Sequence, residues 1–66
     1  MRVTVNGESR ELRDAVTIAD LVTQLELRER RIAVEVNCDI IPREQYGART
    51  LREGDTVEIV HFIGGG

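Results

Sequence analysis

A single stretch of this chain has apolar residues at helical spacing, whereas its other apolar stretches are short and alternate with polar residues. Positions i, i+3, i+4 and i+7 of that stretch are Ile18, Leu21, Val22 and Leu25, which therefore lie on one face of a helix. An amphipathic helix buries its apolar face only against another element. Because 66 residues leave room for one domain and one core, we expect one helix packed on one sheet.

The residues before this helix carry a start signal. Thr17 is a favoured N-cap residue, and Asp20 stands at the third helical position, where its carboxylate reaches back to backbone N–H groups. The charge of Asp20 also suits the positive end of the helix dipole. We expect a helix from about Ile18 to Leu25.

Strand patterns flank the helix on both sides. Asn6-Gly7 separates two extended stretches, 3–5 and 8–12, and this dipeptide favours a type I′ hairpin turn. After the helix come a strand at 32–36, a turn at 37–39, a short strand at 40–41 and a last strand at 56–62. This order predicts an α+β fold, the ubiquitin-like β-grasp, in which a mixed sheet of four to five strands carries one main helix on one face.

The inward positions of these elements form the predicted core. Residues 42–46 are typical of a short irregular or 3₁₀ connection, and Leu51 is the apolar anchor of a polar segment. The predicted core consists of Val3, Val5, Leu12, Ile18, Leu21, Val22, Leu25, Val34, Val36, Ile41, Leu51, Val57 and Ile59.

The amino-acid composition excludes several classes of function and location for this protein. A net charge of -3 is the wrong sign for binding a phosphate backbone, so we expect no nucleic-acid partner. All nine basic residues are arginine, so no lysine amine is present for a Schiff base or isopeptide bond. The single cysteine, Cys38, fits a reducing, cytoplasmic setting. The sequence shows no signal-peptide pattern and no apolar run of about 18 residues, so we expect no membrane partner.

Residue types that carry catalysis are sparse and isolated. His61 is the one histidine and has no second metal ligand nearby in sequence. Cys38 lies in a predicted turn without a local Lys or His to activate it. Asp14, Asp20 and the acidic residues around Gly54 fit caps and turns. We therefore expect no catalytic residues, no metal site and no bound cofactor, and we expect the chain not to be an enzyme in its own right.

The chain ends in three glycines directly after the last strand pattern. Gly64, Gly65 and Gly66 would be a frayed end or linker if they had no function. Alternatively, a partner enzyme threads them through a narrow channel, because glycine permits close approach and free choice of φ and ψ. In that interpretation the carboxylate of Gly66 is the reactive group. We divide the chain into a β-grasp domain, 1–63, and a flexible glycine tail, 64–66.

Four features together resemble the ThiS family of sulfur carriers in thiamine biosynthesis. They are the segment Ile40-Ile41-Pro42-Arg43-Glu44-Gln45-Tyr46, the turn Glu53-Gly54-Asp55, the final strand and the terminal Gly65-Gly66. The likeness covers most of the chain. It departs from the family at Cys38, where Gly or a polar residue is more usual, and in the extra glycine, Gly64.

The resemblance implies a co-substrate that acts with partner enzymes. An E1-like adenylyltransferase of the ThiF type would use ATP with Mg to adenylate Gly66. Sulfur supplied by a cysteine desulfurase or a sulfurtransferase would then give a C-terminal thiocarboxylate. A thiazole synthase of the ThiG type would take the sulfur during formation of the thiazole ring.

The partners need a docking face beside the tail. By alternation, Glu58, Val60 and Phe62 lie on the side of the last strand opposite Val57 and Ile59. With Ile63 at the root of the tail, Val60 and Phe62 form an exposed apolar patch of the kind that marks interaction sites. We predict a partner interface at Glu58, Val60, Phe62 and Ile63.

Three other functions fit parts of the sequence. A MoaD-type carrier for molybdopterin synthesis shares the fold, the tail and the activation chemistry. A ubiquitin-like protein modifier also ends in Gly-Gly. A plain regulatory or RNA-associated β-grasp domain is the third alternative, and in it the glycines have no role. Tyr46 and Phe62 are the only aromatic residues that could stack on RNA bases, which counts against RNA binding.

Overall fold

All the predicted strands and the helix are present in the computed structural model of the protein, which describes residues 1–62. Two 3₁₀ turns, Glu29–Arg31 and Arg43–Gln45, connect them, so the 3₁₀ alternative for 42–46 is confirmed. The regular elements are β1 (Arg2–Val5), β2 (Glu8–Glu11), α1 (Ile18–Gln24), β3 (Ile32–Val36), β4 (Asp39–Ile41) and β5 (Thr56–His61).

The strands form one mixed sheet in the order β2-β1-β5-β3-β4. β5 is central: it runs parallel to β1 and antiparallel to β3. The β1–β2 and β3–β4 pairs are antiparallel hairpins at the two edges. With α1 packed on one face, this is the predicted ubiquitin-like β-grasp, and the sheet has five strands.

Both hairpins close through two-residue turns with left-handed backbone. Asn6 and Gly7 have φ values of 49° and 82°, and Asn37 and Cys38 have 51° and 72°. Positive φ at both central positions is the signature of a type I′ turn, whose twist matches that of the strands it joins. The Asn-Gly prediction is confirmed, and Asn37-Cys38 uses the same turn without a glycine.

The helix begins with the predicted capping box. The backbone N–H of Asp20 donates to Thr17 Oγ1 at 3.1 Å, and the backbone N–H of Thr17 donates to Asp20 Oδ2 at 3.1 Å. These two bonds satisfy donors that a helix start leaves unpaired. Leu25 is the C-cap, one residue after the helix ends.

The buried core matches the predicted set with one exception and three additions. Leu25 is only half-buried, because it lies at the C-cap and packs against the rim of the core. Val16, Ile32 and Tyr46 are buried although the prediction omitted them. Tyr46 is 2 % exposed, and its carbonyl accepts from the N–H of Ala19 at 3.0 Å. The connection after β4 therefore packs against the helix start.

Candidate functional site

The predicted reactive end of the chain, Gly64, Gly65 and Gly66, lies outside the described residues, as does Ile63. The structure does describe strand β5, which leads to that end. The position and surroundings of β5 determine which side chains are exposed on the strand that precedes these residues.

β5 is held along its whole length. On one side the N–H of Asn6 donates to the carbonyl of Val57 at 2.9 Å. On the other side β3 pairs with β5 from Ile32↔His61 to Val36↔Val57. The N–H of Phe62 continues this pairing by donating to the carbonyl of Arg31 at 2.7 Å. The backbone is therefore hydrogen-bonded up to the last described residue.

Two asparagine side chains from the hairpin turns also bind the backbone of β5. Asn6 Nδ2 donates to the carbonyl of Ile59 at 3.2 Å, and the N–H of Ile59 donates to Asn6 Oδ1 at 2.7 Å. Asn37 Oδ1 accepts from the N–H of Thr56 at 2.9 Å, and Asn37 Nδ2 donates to Asp55 Oδ1 at 2.9 Å. The two turns thus bind the start and the middle of β5.

Alternate residues of β5 point to opposite faces of the sheet, as the sequence predicted. Val57 is 0% exposed and Ile59 7%, and both belong to the buried core cluster that also contains residues of α1. Glu58, Val60 and Phe62 are exposed on the other side, Val60 at 59% and Phe62 at 56%. The predicted interface residues within the described chain therefore share one face and lead toward the tail.

The strand register brings further residues to this surface. Ala33 lies opposite Val60, and Glu35 lies opposite both Glu58 on β5 and Ile40 on β4. Ile40 is 74% exposed. We call the set Ala33, Glu35, Ile40, Glu58, Val60 and Phe62 the outer sheet face.

Sequence reasoning missed the contribution of Ala33, Glu35 and Ile40 to this face. A signal was present, because Ile40 and Ile41 are adjacent apolar residues of one short strand and must point to opposite faces. Ile41 is buried and Ile40 is exposed. Only the strand order, with β3 beside β5 and β4 beside β3, shows that these residues lie on the same face as Val60.

The ionisable groups with shifted pKa values have structural explanations. Hydrogen bonds with Thr17 lower the pKa of Asp20, and hydrogen bonds with the Met1 amino group and Arg2 lower the pKa of Glu11. Burial raises the pKa of Tyr46, with the charge of Glu29 adding to the effect. None of these groups lies on the outer sheet face.

A polar groove of about 330 Å³ lies at the opposite end of β5 from the tail. Both carboxylate oxygens of Asp55 in its wall are occupied, one by Asn37 Nδ2 and the other by the N–H of Arg52 at 2.8 Å. The groove is lined by Asn37, Ala48, Arg49, Thr50, Arg52 and Asp55.

No group of three or more potential metal ligands occurs among residues 1–62. Cys38 is exposed in its turn, and His61 is exposed at the end of β5. In the same residues, no helix is long and apolar enough to cross a membrane.

Comparison with known proteins agrees with this architecture. The sequence model of the ThiS family matches residues 3–66. The chain belongs to the ThiS family. The crystal structure of ThiS from Geobacter metallireducens superposes with a TM-score of 0.86 at 32% identity, and the match covers 100% of both chains.

Curated relatives fall into two groups by length. The chain is 43% identical over 54 residues to the sulfur carrier protein ThiS of Bacillus subtilis, covering 82% of each protein. It is 39% identical over all 66 residues to a thiazole synthase of Paramagnetospirillum magneticum. The chain spans only 20% of that enzyme, so the relative contains a ThiS-like segment within a much longer protein.

Proposed function

We propose that this ThiS-family chain is a sulfur carrier of thiamine biosynthesis and that the carboxylate of Gly66 carries the sulfur. Family membership over residues 3–66 is the observation on which the proposal rests. The relative from Bacillus subtilis is named a sulfur carrier protein. In this chain the residues Gly65-Gly66 would supply the acyl group that the proposal requires. The protein is then a co-substrate and not a catalyst.

Carboxylate chemistry dictates an activation step. A carboxylate is a poor electrophile, so one of its oxygens must become part of a good leaving group. An E1-like adenylyltransferase using ATP with Mg would do this: a Gly66 oxygen attacks the α-phosphorus of ATP, and pyrophosphate leaves. The chain contributes the acyl group, while the partner binds the nucleotide and metal.

Sulfur transfer then proceeds by displacement. A persulfide on a cysteine desulfurase or sulfurtransferase attacks the acyl carbon of Gly66, and AMP leaves. A second thiol reduces the resulting S–S bond and releases the thiocarboxylate. This step leaves a disulfide between the donor cysteine and the second thiol. That disulfide must be reduced before the next transfer, which favours a reducing compartment, the cytoplasm, for this chemistry.

Thiazole synthase is the proposed acceptor of the sulfur. The supporting observation is that a protein named thiazole synthase contains a segment similar to this whole chain. In the proposal, the tail 64–66 enters the active site of each partner, and Glu58, Val60, Phe62 and Ile63 dock beside it. Absent Cβ atoms in the glycines allow a narrow entrance channel.

The decisive experiment is intact-mass spectrometry after incubation with a ThiF-type enzyme, Mg-ATP, cysteine and a desulfurase. We expect the mass to rise by the difference between a sulfur and an oxygen atom. Deletion of Gly66, or Gly65→Val, is expected to abolish the change and leave the circular-dichroism spectrum and urea midpoint unaltered. An unchanged mass of the wild-type chain, without AMP release, would refute the proposal.

The acceptor is tested separately with the thiocarboxylate form. We expect sulfur loss on incubation with a ThiG-type thiazole synthase and its substrates. Sulfur delivery to a molybdopterin synthase partner instead would identify a MoaD-type carrier. Isopeptide conjugates to other proteins would identify a ubiquitin-like modifier.

A further inference from the structure

The chain has one amine, the amino group of Met1, because it contains no lysine and all nine basic residues are arginine. The guanidinium of arginine stays protonated and has no lone pair for attack on a carbonyl carbon. An ordinary α-amino group is partly neutral near neutral pH, and its lone pair then attacks activated acyl groups. The Met1 amine is therefore the one group of this chain that could form a stable amide with an activated carboxyl.

Three acceptors face this amino group. It donates to the carbonyl of Leu12 at 2.6 Å, and it lies 3.4 Å from Glu11 Oε2 and 3.7 Å from Asp14 Oδ1. The same contact lowers the pKa of Glu11, with Arg2 adding to the effect. A protonated amino group has three N–H donors and no lone pair, so the two carboxylates stabilise the form that cannot attack an acyl group.

The sheet topology also places the amine far from the reactive end of the chain. β1 runs parallel to β5, with Thr4 opposite Thr56. Met1 comes three residues before Thr4 and Phe62 six residues after Thr56, so the two are roughly 30 Å apart along the sheet. The four residues 63–66 span at most about 14 Å. The terminal carboxyl therefore cannot reach the amine of its own chain.

The one thiol lies at the same distant end. Cys38 is in the turn that follows β3, two residues beyond Val36, and Val36 pairs with Val57 at the start of β5. Phe62 comes five residues after Val57, a separation of roughly 17 Å. The thiol is thus also beyond the reach of the terminal carboxyl of its own chain.

We propose that Glu11 and Asp14 are positioning residues that hold the Met1 amine as a paired ammonium, so that activated Gly66 acylates sulfur and not the carrier itself. This inference rests on the proposed function. In the side reaction that is prevented, a neutral amine attacks the acyl carbon of the adenylate, AMP leaves, the nitrogen loses a proton and an amide remains. An amide does not return the carboxylate for another cycle.

The first test measures the reactivity of the amine without any partner. The probe is the N-hydroxysuccinimide ester of acetic acid, and intact mass follows acetylation of the wild type, Glu11→Gln, Asp14→Asn and the double variant. Glu8→Gln on β2 is the matched control, since it removes an exposed carboxylate elsewhere on the strand that contains Glu11. The urea midpoint of each variant is measured alongside.

We expect the double variant to be acetylated roughly threefold to tenfold faster than the wild type, the range for two exposed ion pairs. About 1 M NaCl should speed acetylation of the wild type and leave the double variant unchanged, because salt screens the pairs. A purely structural role of the carboxylates would not give this salt dependence. Glu8→Gln should react like the wild type.

The second test introduces an amine at each end of the sheet. The carbonyl of Arg31 accepts the N–H of Phe62 at 2.7 Å, so Arg31→Lys places an amine beside the start of the tail. Arg10 lies opposite Val3 at the distant end, which makes Arg10→Lys the matched control. Each carrier is incubated with a ThiF-type enzyme and Mg-ATP without a sulfur source, and pyrophosphate release confirms adenylation.

We expect Arg31→Lys to lose the mass of one water molecule, because its lysine forms an amide with the terminal carboxyl. Arg10→Lys and the wild type should remain monomers of unchanged mass. An Arg31→Lys carrier that is adenylated and keeps its mass would overturn the inference.

Two results with the wild type would also overturn it. Acetylation as fast as in the double variant would refute the role of Glu11 and Asp14. Amide-linked dimers formed during normal adenylation would refute the protection of the carrier and leave the proposed function standing. Absence of pyrophosphate release with the wild type, by contrast, would refute the proposed function and this inference with it.

Discussion

At the scale of single residues, the two type I′ turns show how backbone conformation and side-chain contacts combine. Each turn starts with an asparagine, which tolerates left-handed backbone better than most residues. Asn6 and Asn37 then use their amides to bind the backbone of β5. A residue chosen for its turn thus also positions the strand that leads to the tail.

The second positions of these turns give a matched pair of predictions. Cys38→Gly should raise the free energy of unfolding by about 0.5–1 kcal/mol, because a φ of 72° strains a cysteine and does not strain a glycine. Gly7→Ala should lower it by about 1 kcal/mol. An added Cβ at Gly7 meets no atom within 4 Å, so the cost there is conformational. Urea titrations measure both; a less stable Cys38→Gly variant would show that the thiol makes a stabilising contact.

At the scale of elements, helix α1 depends on its cap and on the sheet. Seven residues are too few for a stable isolated helix in water. The capping box satisfies donors at the start, and Ile18, Leu21 and Val22 are buried against the strands. The isolated bridge Thr17↔Thr50 ties the cap to the segment before β5. Helix formation and sheet packing are therefore coupled.

The helix cap predicts a pH dependence of stability. Hydrogen bonds with Thr17 hold the pKa of Asp20 below its ordinary value in the folded state. The stabilisation is therefore fully present above the ordinary aspartate pKa and is lost as the pH falls through the lower folded value. Asp20→Asn should be less stable than the wild type at pH 7, and the two should converge in acid. Chemical denaturation of both proteins from pH 7 to 2 tests this prediction. Asp39→Asn is the control, because Asp39 is not part of a helix cap. A difference in stability between wild type and Asp20→Asn that stays constant with pH would exclude the ionisation of Asp20 as the cause.

At the scale of the whole molecule, both layers share one core. Residues of α1, of β1, β3, β4 and β5, and of the connections around them form a single buried cluster. The outer sheet face takes no part in that cluster. The core thus lies on one face of the sheet, and the proposed partner binding is on the other face.

This division predicts opposite outcomes for two truncations. Leu21→Ala should cost about 2–5 kcal/mol, a large share of the roughly 3–10 kcal/mol expected for a domain of this size. Val60→Ser should change the free energy of unfolding by less than about 0.5 kcal/mol, yet slow adenylation of the carrier. Urea denaturation measures the stability of each variant, and pyrophosphate release by the ThiF-type enzyme measures its adenylation. A Val60→Ser chain as unstable as Leu21→Ala would place Val60 in the core.

Sequence alone was sufficient for local structure and for the family. The local features depend on residues that are only a few positions apart, so a single sequence is enough to predict them. These features are the helical spacing, the Thr17–Asp20 cap, the Asn6-Gly7 turn and the strand alternation. The resemblance to the family at residues 40–46 and at the final glycines depends on the order of residue types, which is read directly from the sequence.

Only the tertiary structure decided which distant segments meet. It placed β5 at the centre of the sheet, buried Tyr46 beneath the helix start and set Glu35 opposite Glu58. Strand order and register arise from the packing of one shared core between elements far apart in the chain. For this physical reason, the residues of the outer sheet face could be identified only from the tertiary structure. The glycine tail, in contrast, could be identified from the sequence.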